Sequence, residues 1–278
     1  MLKRASAITT TALATAVAGA TGVASIQYFG VSKEIDSVQI SPALVVLDPH
    51  MPYFFDAGVY GSELGLIPAP VVTGPIHNPA LGEDGSTTLG YNAEEDAWEY
   101  GAPTYDGWST QTLAEMDAMF GNGTYTFQIF DLSYPVDLVG DAYPSQTPVL
   151  TLSGGVWGGQ RYLLAPGADL TITTSDSPEY GTHAEDVIHL NLHGPAGAVE
   201  EEILQFASST PTPSISHTYP GALLADEGVY EADAGFGSVV SFVDVSEDLP
   251  EAVEFASYER STTVRILVTE HGCNGADL

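Results

Sequence analysis

Thr112-Leu113-Ala114-Glu115-Met116-Asp117-Ala118-Met119-Phe120-Gly121-Asn122-Gly123-Thr124-Tyr125-Thr126-Phe127-Gln128-Ile129-Phe130 carries both kinds of hydrophobic period, and their order decides the fold class. Thr112 followed three residues later by Glu115 reads as a capping box, in which each residue satisfies an orphan N–H of the other. Leu113, Met116 and Phe120 then share one helical face. Asn122-Gly123 stops the helix, and Tyr125, Phe127 and Ile129 alternate with polar residues as one face of a strand. The spacing predicts one short helix near residues 112–120, closing the open end of a β structure.

Period two dominates on either side. Leu150 and Leu152, Leu170 and Ile172, Ile188, Leu190 and Leu192, and Val264, Ile266 and Val268 each alternate with polar neighbours. Ser238 to Val245 is apolar on both faces and predicts a covered central strand. Gly154-Gly155, Gly158-Gly159, Pro166-Gly167, Gly194-Pro195 and Pro220-Gly221 mark turns at short intervals. Many short strands with regular turns predict an all-β chain, a β-sandwich with one short helix. Leu44–Leu47, Leu64–Ile67 and Val71–Thr73 are further expected strands. The expected division is a leader at 1–25, an N-terminal β-rich region at 26–108 and a C-terminal β-sandwich at 109–278. Ser208–Ser216 is read as an exposed loop within that sandwich.

The charge is lopsided: 37 acids face 6 bases, for a net charge of -31. Lys3 and Arg4 start a small, uncharged, Ala-rich stretch followed by Ala18-Gly19-Ala20 and Val23-Ala24-Ser25, the pattern of a secretory signal peptide. Beyond it only Lys33, Arg161, Arg260 and Arg265 oppose the acids. Such a surface disfavours nucleic acid and anionic lipid and attracts cations and basic partners. It also suits a salty medium, where self-repulsion is screened over about 3 Å at 1 M salt instead of about 8 Å at physiological salt. A membrane contact is expected only if the leader stays uncleaved. Cys273 is the single cysteine, so no internal disulfide forms; pairing between chains and an incidental tail residue both remain open. A disulfide-free exported chain with a simple leader fits a bacterial source.

The segments Leu113 to Ile129, Leu152-Ser153-Gly154-Gly155-Val156-Trp157 and Asp186-Val187-Ile188…Gly194-Pro195 together resemble, over about residues 110–270, a module of uncharacterised secreted bacterial β-sandwich proteins. The resemblance implies a fibronectin- or immunoglobulin-like sandwich and carries over no activity, cofactor or functional residue.

Four groups of residues are candidates for chemistry. His183, Glu185, Asp186, His189 and His193 offer metal ligands, but two residues of like facing on a strand are about 7 Å apart. His189 and His193, four residues apart, are thus about 13 Å apart, too far for one metal, and a site needs a partner from a neighbouring strand or His183 folding back with Glu185. Glu94-Glu95-Asp96-Ala97-Trp98-Glu99 matches the E-x-D-x-x-E string of some jelly-roll glycoside hydrolases, which requires paired carboxylates in one cleft. Asp226, Glu227, Glu231 and Asp233 (and Asp176 with Glu179) are hard oxygen ligands suited to calcium, without the fixed spacing of a helix–loop–helix calcium site. Trp98, Trp108 and Trp157 would stack on sugars if exposed and fill a core if buried; Tyr100 and Tyr105 flank the first two. The expected function is structural or adhesive and non-catalytic, secreted or at the cell surface, with a glycan or surface protein as partner. The alternatives are a carbohydrate-binding module and a secreted glycoside hydrolase.

Overall fold

The computed structural model describes residues 24–75, 78–104, 108–200 and 202–270. All but the end of the expected leader lies outside these, as do Tyr105 and Cys273. The chain is all-β. In order, β1 (Ser25–Ser41), β2 (Leu44–Leu47), β3 (Tyr53–Ser62), β4 (Val71–Thr73), β5 (Ser86–Thr88), β6 (Gly90–Asn92), β7 (Ala97–Glu99) and β8 (Ser109–Thr110) lead into the helix α1 (Leu113–Met119). β9 (Gly123–Ile129) and β10 (Leu132–Leu138) form a hairpin behind it. There follow β11 (Leu150–Ser153), β12 (Val156–Gly158), β13 (Arg161–Leu164), β14 (Leu170–Thr174), β15 (Val187–Gly194), β16 (Gly197–Ala198), β17 (Ile203–Phe206) and β18 (Ser216–Tyr219). The chain ends on two long strands, β19 (Gly228–Asp244) and β20 (Val253–Val268).

One large sheet runs in the order β16-β15-β19-β20-β1-β3-β7-β6, and two smaller sheets, β10-β9-β4-β5 and β11-β14-β18, pack on it. Each smaller sheet closes a hydrophobic core. Phe29 and Val31 of β1, Phe55, Ala57 and Val59 of β3, and Tyr125, Phe127 and Ile129 of β9 meet in the first. Leu170 and Ile172 of β14, Leu190 and Leu192 of β15, and Val264, Ile266 and Val268 of β20 meet in the second. Burying each such side chain contributes about 1.5–3 kcal/mol. The alternation that predicts these strands is thus the alternation that fills the cores.

The helix forms as its sequence predicts, with the Thr112 and Glu115 side chains satisfying each other's backbone N–H groups. Its Met116 and the following Phe120 enter the first core, where Phe120 stacks on Phe55 at 4.2 Å. Residues 113–143 therefore pack together with β1 and β3 of the N-terminal region, and the second core begins at Leu150.

Two expectations are corrected. Leu64–Leu66 is a 3-10 turn, not a strand: the Asp96 carboxylate accepts the N–H groups of Glu63 (2.6 Å) and Leu64 (2.9 Å) and curls the chain. The stretch from Ser238 is a strand but is not covered throughout, because Phe242 and Val243 are 41% and 47% exposed near its end.

The segment 139–149 crosses from one core to the other and is held by side chains of the long strands. Arg260 Nε donates to the Pro144 carbonyl (2.5 Å), and Thr262 Oγ1 to that of Pro148 (2.6 Å). Buried Gln39 grips Leu150 at both ends, donating to its carbonyl (2.9 Å) and accepting from its N–H (2.7 Å). Lys33, fully buried, reaches Asp117 and Asn122, each at 2.8 Å. Gln39→Leu leaves the Leu150 N–H and carbonyl without these partners and should lower unfolding stability by about 2–6 kcal/mol in urea titration, since each orphaned buried group costs about 1–3. A loss below 1 kcal/mol, within the usual range of surface changes, would show that the crossing is held elsewhere.

Candidate functional site

The unusual feature lies on the other face of the large sheet. Successive residues of a strand face opposite ways. In β20, Ala256 and Tyr258 enter the first core and Val264, Ile266 and Val268 the second. Ser257, Glu259, Ser261 and Thr263 alternate with them and point away from the cores, yet none is more than 2% exposed. Glu34 and Asp36 of β1 are the registered neighbours of Glu259 and Ser261. A buried face of serines, threonines and carboxylates must satisfy its polar groups internally.

His189 of β15 is the buried cation of this face. β19 lies between β15 and β20, so the imidazole and Glu259 start on strands roughly 9–10 Å apart. They meet over Gly235, which is paired with His189 on one side and Ser261 on the other. His189 Nε2 lies 2.5 Å from Glu259 Oε1. A Cβ on residue 235 would stand 1.9 Å from His189 Nε2 and 2.2 Å from Glu259 Oε1. Glycine at this strand-interior position is thus what lets the pair close.

The other imidazole nitrogen, Nδ1, faces Glu202 Oε1 at 3.3 Å and Asp233 Oδ1 at 3.9 Å. Those carboxylates are anchored in turn: Asn191 Nδ2 donates to Glu202 (2.8 Å) and Thr263 Oγ1 to Asp233 (2.9 Å). Ser32 donates to Glu34 (3.1 Å), and Ser261 to Asp36. Farther along the sheet Tyr60 donates to Asp56 (2.7 Å) and Asn92 to Glu99 (2.9 Å). The second oxygens of Glu34, Glu202 and Glu259 have no hydrogen-bond partner.

Burial and the neighbouring carboxylates set the protonation. Burial, then Glu259, Asp36 and Asp56, raise the Glu34 carboxyl far above its usual range. Burial and Glu99 bring Asp56 up to about 7. Burial alone would lower His189, but Glu259 and Glu202 outweigh it and hold the imidazole well above its usual value. Burial also raises Glu202, an effect that His189 partly offsets. The cluster is an imidazolium between carboxylates, beside a glutamate that keeps its proton. It is closed to solvent at His189 (2%), Glu259 (1%) and Glu34 (0%), so it can hold charge and protons but offers a substrate no approach.

The sequence candidates are placed as follows. Of the five residues around His183–His193, His189 alone joins the cluster. Asp186 locks a loop by accepting the N–H groups of His183 (2.9 Å) and Val239 (3.2 Å), and His193 is exposed. Glu94, Glu95 and Asp96 form the turn between β6 and β7 instead of a catalytic strand, and only Glu99 is buried. Asp226 and Glu227 are exposed ahead of β19, while Glu231 faces Arg265 (3.3 Å) and Asp233 faces His189. Among the described residues no group of three or more His, Cys, Asp or Glu is arranged to hold a metal ion. The three indoles are half-buried on different cores. Trp98 and Trp108 pack on the first, with Trp98 Nε1 donating to the Leu64 carbonyl (2.9 Å), and Trp157 packs on the second. Glu259 and Glu34 escape sequence reading, since no local spacing links them to His189. The available signal is Gly235-Phe236-Gly237, glycines inside a strand. Among the described residues no helix is long and apolar enough to cross a membrane. No known family model and no curated protein matches the chain.

Gly235→Ala should separate His189 from Glu259 and destabilise the fold by about 3–5 kcal/mol, as breaking a buried ion pair does. The accompanying loss of the imidazolium signal of His189 in nitrogen NMR distinguishes this from simple overpacking; an unchanged signal would sink the assignment. Asp56 titrates near 7 in the fold against 3.8 normally, so the native state keeps a proton that the unfolded chain releases. Its contribution is complete below about pH 4 and is lost as the pH rises to about 7. Asp56→Asn should therefore raise the melting midpoint at pH 8 and leave it unchanged near pH 4. A lower midpoint at pH 8 would refute the buried-charge account.

Proposed function

We propose that the chain is an exported, acidic β-sandwich protein with a structural or adhesive, non-catalytic role at the cell surface or in the extracellular space. The observation that carries this reading is the continuity of β1, β19 and β20. Strands of 17, 17 and 16 residues make one body of two sandwiches with no hinge between the cores. The usual strand has about 5–6 residues. A body of this kind is suited to holding position, and its most heavily buried titratable cluster is sealed from solvent.

The distribution of charge supports the same role. Lys33 is buried on Asp117, Arg260 is bound to the Pro144 carbonyl, and Arg265 faces Glu231. Three of the four bases beyond the leader are thus engaged within the fold, and the outward surface is overwhelmingly acid. Its partners are cations, or glycans and surface proteins that present basic groups, and not nucleic acid. Secretion is supported by the Lys3-Arg4 start and the apolar, uncharged stretch that follows.

Two measurements test the proposal. Produced from the full sequence in an exporting cell, the protein should be recovered outside the cytoplasm, accessible to added protease and with a mature N-terminus between residues 19 and 26. Retention of the intact chain in the cytoplasm would overturn the localisation. The purified protein should melt at a higher temperature in about 2 M than in about 0.1 M sodium chloride, because screening relieves its self-repulsion. Equal midpoints would remove the salt-adapted surface from the account.

A further inference from the structure

β1 and β20 run side by side in the same direction, in unbroken register from Tyr28 opposite Val253 to Val38 opposite Thr263. The ladder spans 11 paired positions, roughly 33 Å of strand. Parallel pairing fixes where the chain enters and leaves. The segment before Ser25 meets the ladder at the Val253 end, where Ile26 belongs to the first core. The segment after Val268 leaves beyond the opposite end, where Val268 belongs to the second core. Tension between the start of β1 and the end of β20 pulls the two strands in opposite directions along their common axis. The rungs of the ladder are then loaded together and must fail together.

Neither strand is free to peel sideways. β1 is also paired antiparallel with β3, from Ser25 opposite Ser62 to Ile35 opposite Tyr53. β20 is also paired with β19, from Gly228 opposite Val268 to Asp244 opposite Val253. On the cluster face Ser261 donates to Asp36, tying the two strands directly. On the opposite face the strap between the cores is tied to both, through Gln39 of β1 and Arg260 and Thr262 of β20. We propose that the parallel β1–β20 ladder is a shear clamp, through which the protein bears tension applied between the start of β1 and the end of β20. The proposal rests on the structural or adhesive role given above and specifies it: the fold resists load along the axis of this ladder.

The same molecule contains its own control. The β19–β20 hairpin opens at Gly228 and Val268, which are paired, so force applied just outside them loads one rung at a time. The full chain carrying Cys273→Ser receives handles in single-molecule force spectroscopy, either at Gln27→Cys with Glu270→Cys or at Glu227→Cys with Glu270→Cys. Glu227 and Glu270 are exposed and Gln27 is half-buried, and a thermal melt of each variant confirms folding first. At one loading rate the first pair should unfold at about twice the force of the second or more, because forced unfolding follows the barrier along the pulled direction. Equal forces, or a weaker first pair, would overturn the clamp. A strong first pair in a protein retained in the cytoplasm would leave the clamp standing and remove the surface role; an exported protein with equal forces would do the reverse.

Discussion

The structure depends on a 16-residue strand whose middle, from Ala256 to Val264, is buried or half-buried on both faces while including serine, threonine, glutamate and arginine. β20 is that strand. Its core-facing residues pass from one hydrophobic cluster to the next, so the two sandwiches are joined by a continuous backbone and not by a linker. The cost falls on the opposite face. Ser257, Glu259, Ser261 and Thr263 lose water and must find partners within the sheet. Ser261 and Thr263 do this by donating to the carboxylates of Asp36 and Asp233, while the Ser257 hydroxyl is buried without a partner. Glu259 demands a cation, because an isolated carboxylate at such a site is several kcal/mol too costly. His189 supplies it, and Gly235 makes room for the contact.

The cluster also explains why one sheet face carries so many carboxylates in a chain with so few bases. Glu34 and Glu259 are registered neighbours with one imidazole available nearby. Two like charges at that separation do not both ionise readily in a dry site, so one carboxyl keeps its proton. Protonation takes the place of a second base. Lys33 and Arg260 are close in sequence to this pair, but alternation turns them to the other face, where they hold α1 and the strap. The same two strands thus send Lys33 and Arg260 to one side and most of their carboxylates to the other, where Arg265 is exposed against Glu231.

Much of the fold was legible because its short strands obey a local rule. Tyr125, Phe127 and Ile129 alternate and are fully buried, and Thr112 with Glu115 starts the helix. The long strands were legible only in part, at Ser238–Val245 of β19 and Val264–Val268 of β20, and the rest was hidden for a physical reason. In β1 the run Ser32-Lys33-Glu34-Ile35-Asp36-Ser37 resembles a solvated segment, since residues of this type are normally buried only when paired. Here their partners lie far away in sequence, at Asp117, Ser261 and Thr262. In β19, Ala232, Ala234, Gly235 and Gly237 give too little hydrophobic contrast for a period to emerge. His189 stood out as a histidine on a strand, but its role is set by Glu259, 70 residues away. Sequence spacing finds ligands that share one element, and this site takes one residue from each of several.

Two populations of acid follow from this arrangement, and they answer to different solution conditions. The outer carboxylates repel across water, where salt shortens the interaction to a few ångströms, about 3 Å at 1 M. Glu34, Glu202 and Glu259 are removed from that solvent, so added salt barely reaches their mutual repulsion. Glu259 is relieved by its contact with His189, and Glu34 and Glu202 are held above their ordinary values chiefly by burial, which favours their protonated forms. Their relief has a fixed sign. Groups held protonated above their ordinary values stabilise the fold at low pH and cease to do so as the pH rises. Salt and mild acidity should therefore act on the folded protein through separate mechanisms, the first at the surface and the second within the sheet. A chain with so few bases achieves a long, continuous sheet by leaving its outer charge to dissolved ions and its inner charge to one histidine and a few protons.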